Sequence, residues 1–491
     1  MTLNRSSLSR RSLIKGAAAV GAVAATRSGL ASAQNAPDPT PPSLTQRPAV
    51  GERRFTSAVV ESAIQSVQAR IADPELALIF ANCLPNTLDT TVFPGSYEGR
   101  PDTFVITGDI DAMWLRDSSA QVWPYLPFCK QDPRLATLIE GVIHRHTRCI
   151  LLDPYANAFL PEASSKPLSW AVHDDTLMKP GVGERKWEID SLCYTIRLAH
   201  GYWRATGSTA PFDAHWQEAA RTIVRTFREQ QRKHDAGPYH FQRSSPQPTD
   251  TLPLGGFGNP ARPVGLIYSG FRPSDDACIY PLFVPANLFA VASLQQLATL
   301  AAKVCHDSAL ASECVDLAAE VKTALQQHGL IDAGKHGSIW AYEVDGYGNT
   351  LRMDDANAPG LLSLDYLESV LPEDRAFYAR TRGFALSDDN PYFFRGSAAE
   401  GIGGPHEGLN YIWPMSIILR AQSATSDQEI LQCLRWLRDT TAGTHFMHES
   451  FWKDDATKFT RPWFAWANTL FGELILKLAT HKPNLLRQPM A

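Results

Sequence analysis

A mainly α-helical ring of six helical hairpins is the fold predicted by three features of this 491-residue chain. Apolar positions recur at three- and four-residue spacing in one segment after another, the pattern of helices with a single buried face. Strand-like alternation is sparse. Six stretches rich in acids, aromatics and glycine interrupt the helical pattern at intervals of 43 to 85 residues, each wide enough for two ordinary helices and their loops. A closed ring, the (α/α)6 barrel, would gather those six stretches at one end. An open helical array is the competing arrangement, but it gives no reason to separate helix pairs with acids and tryptophans.

Residues 1–33 read as a twin-arginine signal peptide: "SRRSLIK" (9–15), a short run of small apolar residues, and "ASA" before Gln34. The apolar run is shorter than the roughly 20 residues that cross a bilayer. No later segment reads as a membrane span either. Export by the twin-arginine machinery to a periplasm or beyond is therefore expected. Residues 34–52 are proline-rich and polar and read as an extended leader. Residues 53–485 show no comparable break and are expected to form one domain. Its helical segments include "ESAIQSVQARI", "DPRLATLIEGVIHRHTRCIL", "APFDAHWQEAARTIVRTFREQQR", "LFAVASLQQLATLAAKV", "ASECVDLAAEVKTALQQH" and "SDQEILQCLRWLRDTTAG".

A hydrophobic content of 44% with 20% charged residues is that of a folded globular protein. The first 33 residues carry five basic side chains and no acid, so their removal takes the formal charge from -5 to -10. That is a poor match to nucleic acid, which needs clustered Lys and Arg. Eight scattered cysteines without a C-x-x-C pair are expected to be buried small hydrophobes, with a disulfide or two left open. No nucleotide-binding loop or nucleophilic-serine elbow is present.

The polar stretches hold the candidate chemistry. In "SGFRPSDDACIY", Asp275 and Asp276 adjoin Ser274, which makes a helix N-cap one reading. The other is that like charge keeps a proton on one of them for use as a general acid. "MHESFW" places Glu449 among aromatics, suited to activating a water. A zinc reading through His445, His448 and Glu449 ranks low, because H-x-x-H-E is not a known zinc-protease spacing. "DAMWLRDSS" sets Trp114, Arg116 and Asp117 together, either to grip a sugar or as a buried ion pair. "RMDDANAPG", with Asp354, Asp355 and Asn357, is either a capped helix start or a pocket lining. Trp413, Trp463 and Trp466 fit a core as readily as a sugar platform.

In order, "TGDIDAMWLRDSSAQVWPYL", "WEIDSLCY", "SGFRPSDDACIY", "MDDANAPGLLSL", "GGPHEGLNYIWPM", "MHESF" and "RPWFAWANTLFGEL" resemble glycoside hydrolase family 125, from about Arg53 to Leu478. The resemblance implies a six-hairpin glycosidase fold. It also implies a metal-independent, inverting exo-α-mannosidase that releases terminal α-1,6-linked mannose, with no cofactor. It assigns the general acid to the doublet, taken as Asp276, and the general base to Glu449. Trp114, Arg116, Asp117, Arg272, Asp275, Asp354, Asp355, Asn357, His406 and Trp463 are the implied substrate-binding residues. The alternatives are another (α/α)6 carbohydrate-active enzyme, such as a different α-glycosidase or a lyase, and a non-catalytic glycan-binding protein.

Overall fold

The computed structural model describes residues 45–489, so the signal peptide and most of the leader lie outside the described residues. Fourteen α-helices in this span carry most of the structure: α1 (Ala58–Gln68), α2 (Pro74–Cys83), α3 (Asn86–Thr90), α4 (Leu115–Val122), α5 (Pro133–Leu152), α6 (Ile189–Thr206), α7 (Ala214–Gln230), α8 (Val284–Lys303), α9 (Ser308–His328), α10 (Arg375–Ala385), α11 (Pro414–Gln422), α12 (Asp427–Asp439), α13 (Ala465–His481) and α14 (Pro483–Leu486). They alternate between an inner and an outer layer. In the inner helix α8, 16 of 20 residues are buried. In its outer partner α9 only Leu310, Cys314, Leu317, Ala318, Val321, Ala324 and Leu325 are, a single stripe. Inner neighbours pack in sequence, α4 on α6, α6 on α8, α11 on α13, and α13 back on α4. The chain therefore forms the predicted (α/α)6 ring.

The two layers begin differently. Outer helices α1, α2, α5, α7, α9 and α12 start at Ser57, Asp73, Asp132, Asp213, Asp307 and Ser426, whose side chains accept hydrogen bonds from first-turn amides. Inner helices α4, α6, α8, α11 and α13 start at Trp114, Glu188, Phe283, Trp413 and Phe464, with no side-chain cap hydrogen bond. The inner N-termini all lie at the end of the ring that the polar stretches occupy. Three small antiparallel sheets lead into this end. Met113–Trp114 pairs with Ala158–Phe159, Leu282–Phe283 with Glu343–Val344, and Tyr411–Ile412 with Phe451–Trp452.

Three sequence expectations change in the structure. The doublet does not cap a helix: Phe271 and Ala277 bridge across a tight hairpin, and α8 begins only at Val284. The fourth inner position holds a run of turns over 361–368 instead of a helix. Both Asp354 oxygens are taken there by amides of the same stretch, Leu361 (2.6 Å) and Leu362 (2.9 Å). Finally, α8 is long and apolar enough to cross a membrane, yet it is mostly buried as an inner helix of the ring.

The end of the leader is fastened to the domain, with Arg47 paired to Glu61 (2.5 Å) and Asp89 (2.7 Å). All eight cysteines are free thiols, and seven are buried. Close helix contact depends on Gly472 in α13, where a Cβ would stand 2.8 Å from the Leu84 Cα. Gly472→Val is expected to cost about 1–3 kcal/mol through overpacking, read as a lowered calorimetric Tm.

Candidate active site

The inner helices deliver their first residues to one pocket. Trp114, Arg116 and Asp117 come from the start of α4, Trp413 from the cap of α11, and Phe464 and Trp466 from the start of α13. Pro273, Ser274 and Asp275 enter from the hairpin, with Asn357, His406, Glu449 and Arg461 from the remaining loops. Aromatic walls with a few convergent charges are the usual composition of a site for a small polar ligand.

The hairpin sends its two aspartates to different partners. The Arg272 amide donates to the Asp276 carbonyl (2.8 Å) and the Asp275 amide to the Arg272 carbonyl (2.9 Å). Asp275 closes the turn at φ 67°, a left-handed conformation that Asp tolerates better than most residues. Its carboxyl accepts from Arg116 (3.3 Å) and Asn157 (3.2 Å), and its carbonyl accepts from Lys186 (2.8 Å). Asp276 instead meets His406 Nδ1 at 3.4 Å, and its second oxygen is buried without a protein hydrogen-bond partner.

Arg116 is the hub of an acid-rich cluster. It donates to Glu188 (3.0 Å) and also lies within ion-pair distance of Asp117, Asp190 and Asp275. One guanidinium cannot balance four carboxylates, so protons are retained. Burial drives Glu188 well above the usual carboxylate range; Arg116 opposes this, and Asp275, which hydrogen-bonds to it, reinforces it. Burial likewise pushes Asp190 up to about 7 against the pull of Arg116.

Glu449 has different surroundings. It is buried just before the Phe451–Trp452 strand, where Thr460 donates to one oxygen (3.1 Å) and Arg461 pairs with the other (3.4 Å). His406 lies between this residue and Asp276. Burial alone would lower the pKa of its imidazole, but the Asp276 hydrogen bond and charge, with Glu407 and Glu449 beyond, raise it to about 9. A ¹³C-detected imidazole titration is expected to show a His406 midpoint near 9, and Asp276→Asn to lower it.

Residues 73–476 match the family described as metal-independent α-mannosidases, GH125. The chain belongs to glycoside hydrolase family 125. It is 42% identical over 459 residues to the meiotically up-regulated gene 157 protein of Schizosaccharomyces pombe, covering 90% of each chain. It also superposes, with a TM-score of 0.82 and 37% identity, on a metal-independent α-mannosidase from Streptococcus pneumoniae solved as a non-productive complex with α-1,6-mannobiose. That match covers 87% of this chain and all of the other.

Within this family-125 glycosidase, the pocket gathers Trp114, Arg116, Asp117, Asp275, Asn357, His406 and Glu449 from the sequence-derived set. Asp276, chosen from the sequence as the acid, is linked to the pocket through His406. Four others do not line it. Arg272 is fully buried and paired with Glu343 (2.6 Å), which braces the hairpin. Asp354 holds the turn described above, and Asp355 accepts from the Asn357 amide and side chain, both at 2.9 Å. Trp463 packs against Gly108, whose φ of 127° admits the indole at 3.0 Å from a would-be Cβ.

The sequence reading did not select Glu188, Asn157, Arg461 or Phe464 for the site, and among the tryptophans it chose Trp463 over Trp413 and Trp466. Glu188 and Arg461 were within the quoted motifs, but an inner-helix start was the missing criterion. His445 and His448 do not form a metal site with Glu449. His448 faces the carbonyls of Arg461 (2.9 Å) and Thr441 (3.1 Å), and His445 pairs with Glu75 (2.8 Å).

Proposed function

We propose that this α-mannosidase removes a single terminal α-1,6-linked mannose with inversion at the anomeric carbon. The observation that carries the reading is one pocket with a proton-retaining acid cluster around Asp275 and a separately anchored carboxylate, Glu449. Of the doublet, Asp275 is the proposed general acid, because it lines the pocket and shares a hydrogen bond with the proton-holding Glu188. The proton that Glu188 and Asp275 share passes through the Asp275 carboxyl to the departing glycosidic oxygen, leaving Glu188 ionised. Glu449 takes a proton from a water that attacks C1 from the opposite face, through an oxocarbenium-like transition state. Inversion requires the two carboxyls roughly 6.5–9.5 Å apart, with the water between them.

Arg116, Asp117 and Asn357 supply donors and acceptors for ring hydroxyls, and Trp114, Trp413 and Trp466 supply apolar faces for the sugar. A pocket that ends on the packed interior of the ring favours removal of one terminal residue over cleavage within a chain. The α-1,6 linkage is supported by the mannobiose bound to the Streptococcus pneumoniae relative. The twin-arginine motif and "ASA" support export with cleavage after Ala33. Proton NMR of hydrolysis on α-1,2-, α-1,3- and α-1,6-mannobiose tests linkage and stereochemistry together. The expected result is turnover of the α-1,6 isomer with β-mannose appearing first; α-mannose appearing first would overturn inversion.

A further inference from the structure

His406, Glu407 and Glu449 bring a ring nitrogen and two carboxylate oxygens within 4.8 Å of one another. The two ring nitrogens face different groups. Nδ1 meets Asp276 Oδ1 at 3.4 Å, while Nε2 faces Glu407 Oε1 at 4.0 Å. A carboxylate behind one imidazole nitrogen, with the other directed at further ligands, is the arrangement that orients histidines for metals in proteins. Glu449 is 5% exposed and keeps acceptor capacity beyond its contacts with Thr460 and Arg461.

We propose that His406, Glu407 and Glu449 form a binding site for a borderline divalent cation of the Zn²⁺ or Cu²⁺ kind, and that such a cation inhibits the enzyme. The donor set selects the class of ion. Imidazole with carboxylates suits zinc and copper, whereas calcium takes six to eight oxygens and magnesium a near-octahedral oxygen shell. The inhibition rests on the reading of Glu449 as the base: a carboxylate oxygen bound to a cation is not available to deprotonate water. Family 125 hydrolysis needs no metal, so the ion acts as a blocking ligand and not as a cofactor. Two cationic groups oppose it: Arg461, paired with the same glutamate, and the His406 imidazole, which gives up its proton to bind the ion.

The test uses the untagged full protein, with zinc chloride titrated by calorimetry and cobalt followed by its visible absorption, so that binding is read without turnover. Wild type is expected to bind one ion, and Glu407→Gln to bind it about tenfold or more weakly. Zinc should slow mannobiose hydrolysis by the wild type, EDTA should restore it, and calcium should have no effect. Equal zinc affinity in wild type and Glu407→Gln, or no binding at millimolar zinc, would overturn the site. Glu407-dependent binding that leaves hydrolysis untouched would overturn the inhibition and, separately, the role of Glu449 as base.

Discussion

Glu449→Gln is expected to lower kcat on α-1,6-mannobiose by about 10²- to 10⁴-fold with little change in Tm. The amide keeps the volume of the side chain and can still hydrogen-bond Thr460, so the Phe451–Trp452 strand is not disturbed. It loses the ability to take a proton from water. No neighbouring group replaces it readily: His406 is held protonated up to about 9 by the carboxylates around it, and Glu407 faces that ring, not the pocket wall. Steady-state kinetics on the mannobiose, with product binding measured alongside, makes the check. Unchanged product affinity with lost turnover is the expected pair. Turnover within a few-fold of wild type would remove Glu449 from the base role.

The architecture could be read from the chain because it rests on periodicity. The stripe of α9 and the long apolar run of α8 are local patterns, and a ring of hairpins repeats them. The site was legible to a lesser degree. Its acids stood out by composition, but their direction depends on backbone turns that periodicity does not report. Ser274 followed by two aspartates has the composition of a helix cap, and only the Phe271–Ala277 bridge shows it to be a hairpin with its carboxylates diverging. Asp354 and Asp355 look like Asp275 and Asp276 in sequence. The first is taken up by the amides of Leu361 and Leu362, the second by Asn357, at the one of six inner positions where a helix does not form.

A general rule would have found most of the missed residues. Six outer helices of this chain begin at Ser or Asp caps, with α10 the exception, and inner helices begin at Trp, Phe or Glu without one. A capped start binds its own first-turn amides; an uncapped one presents its opening residues to whatever fills the end of the ring. Trp114, Glu188, Phe283, Trp413 and Phe464 are those opening positions, and three of the five line the pocket. Glu188 stands one contact further back, on Arg116 and Asp275.

The acid assignment divides the doublet, and the leaving group decides it. Asp275→Asn is expected to cut kcat/KM on α-1,6-mannobiose by about 10²- to 10⁴-fold, because a sugar alkoxide departs slowly unless it is protonated. On a 2,4-dinitrophenyl α-mannoside, whose phenolate leaves without a proton, the same variant should retain activity close to that of the wild type. Base catalysis at Glu449 and the hydroxyl contacts of the pocket remain intact there. Asp276→Asn should behave differently. It removes the charge that holds His406 near 9, so its loss should be similar on both substrates and should follow the altered imidazole titration. The opposite pattern, with Asp276→Asn selectively rescued by the activated leaving group and Asp275→Asn impaired on both, would move the proton to Asp276. Asp275 would then remain a substrate-binding residue held by Arg116 and Asn157.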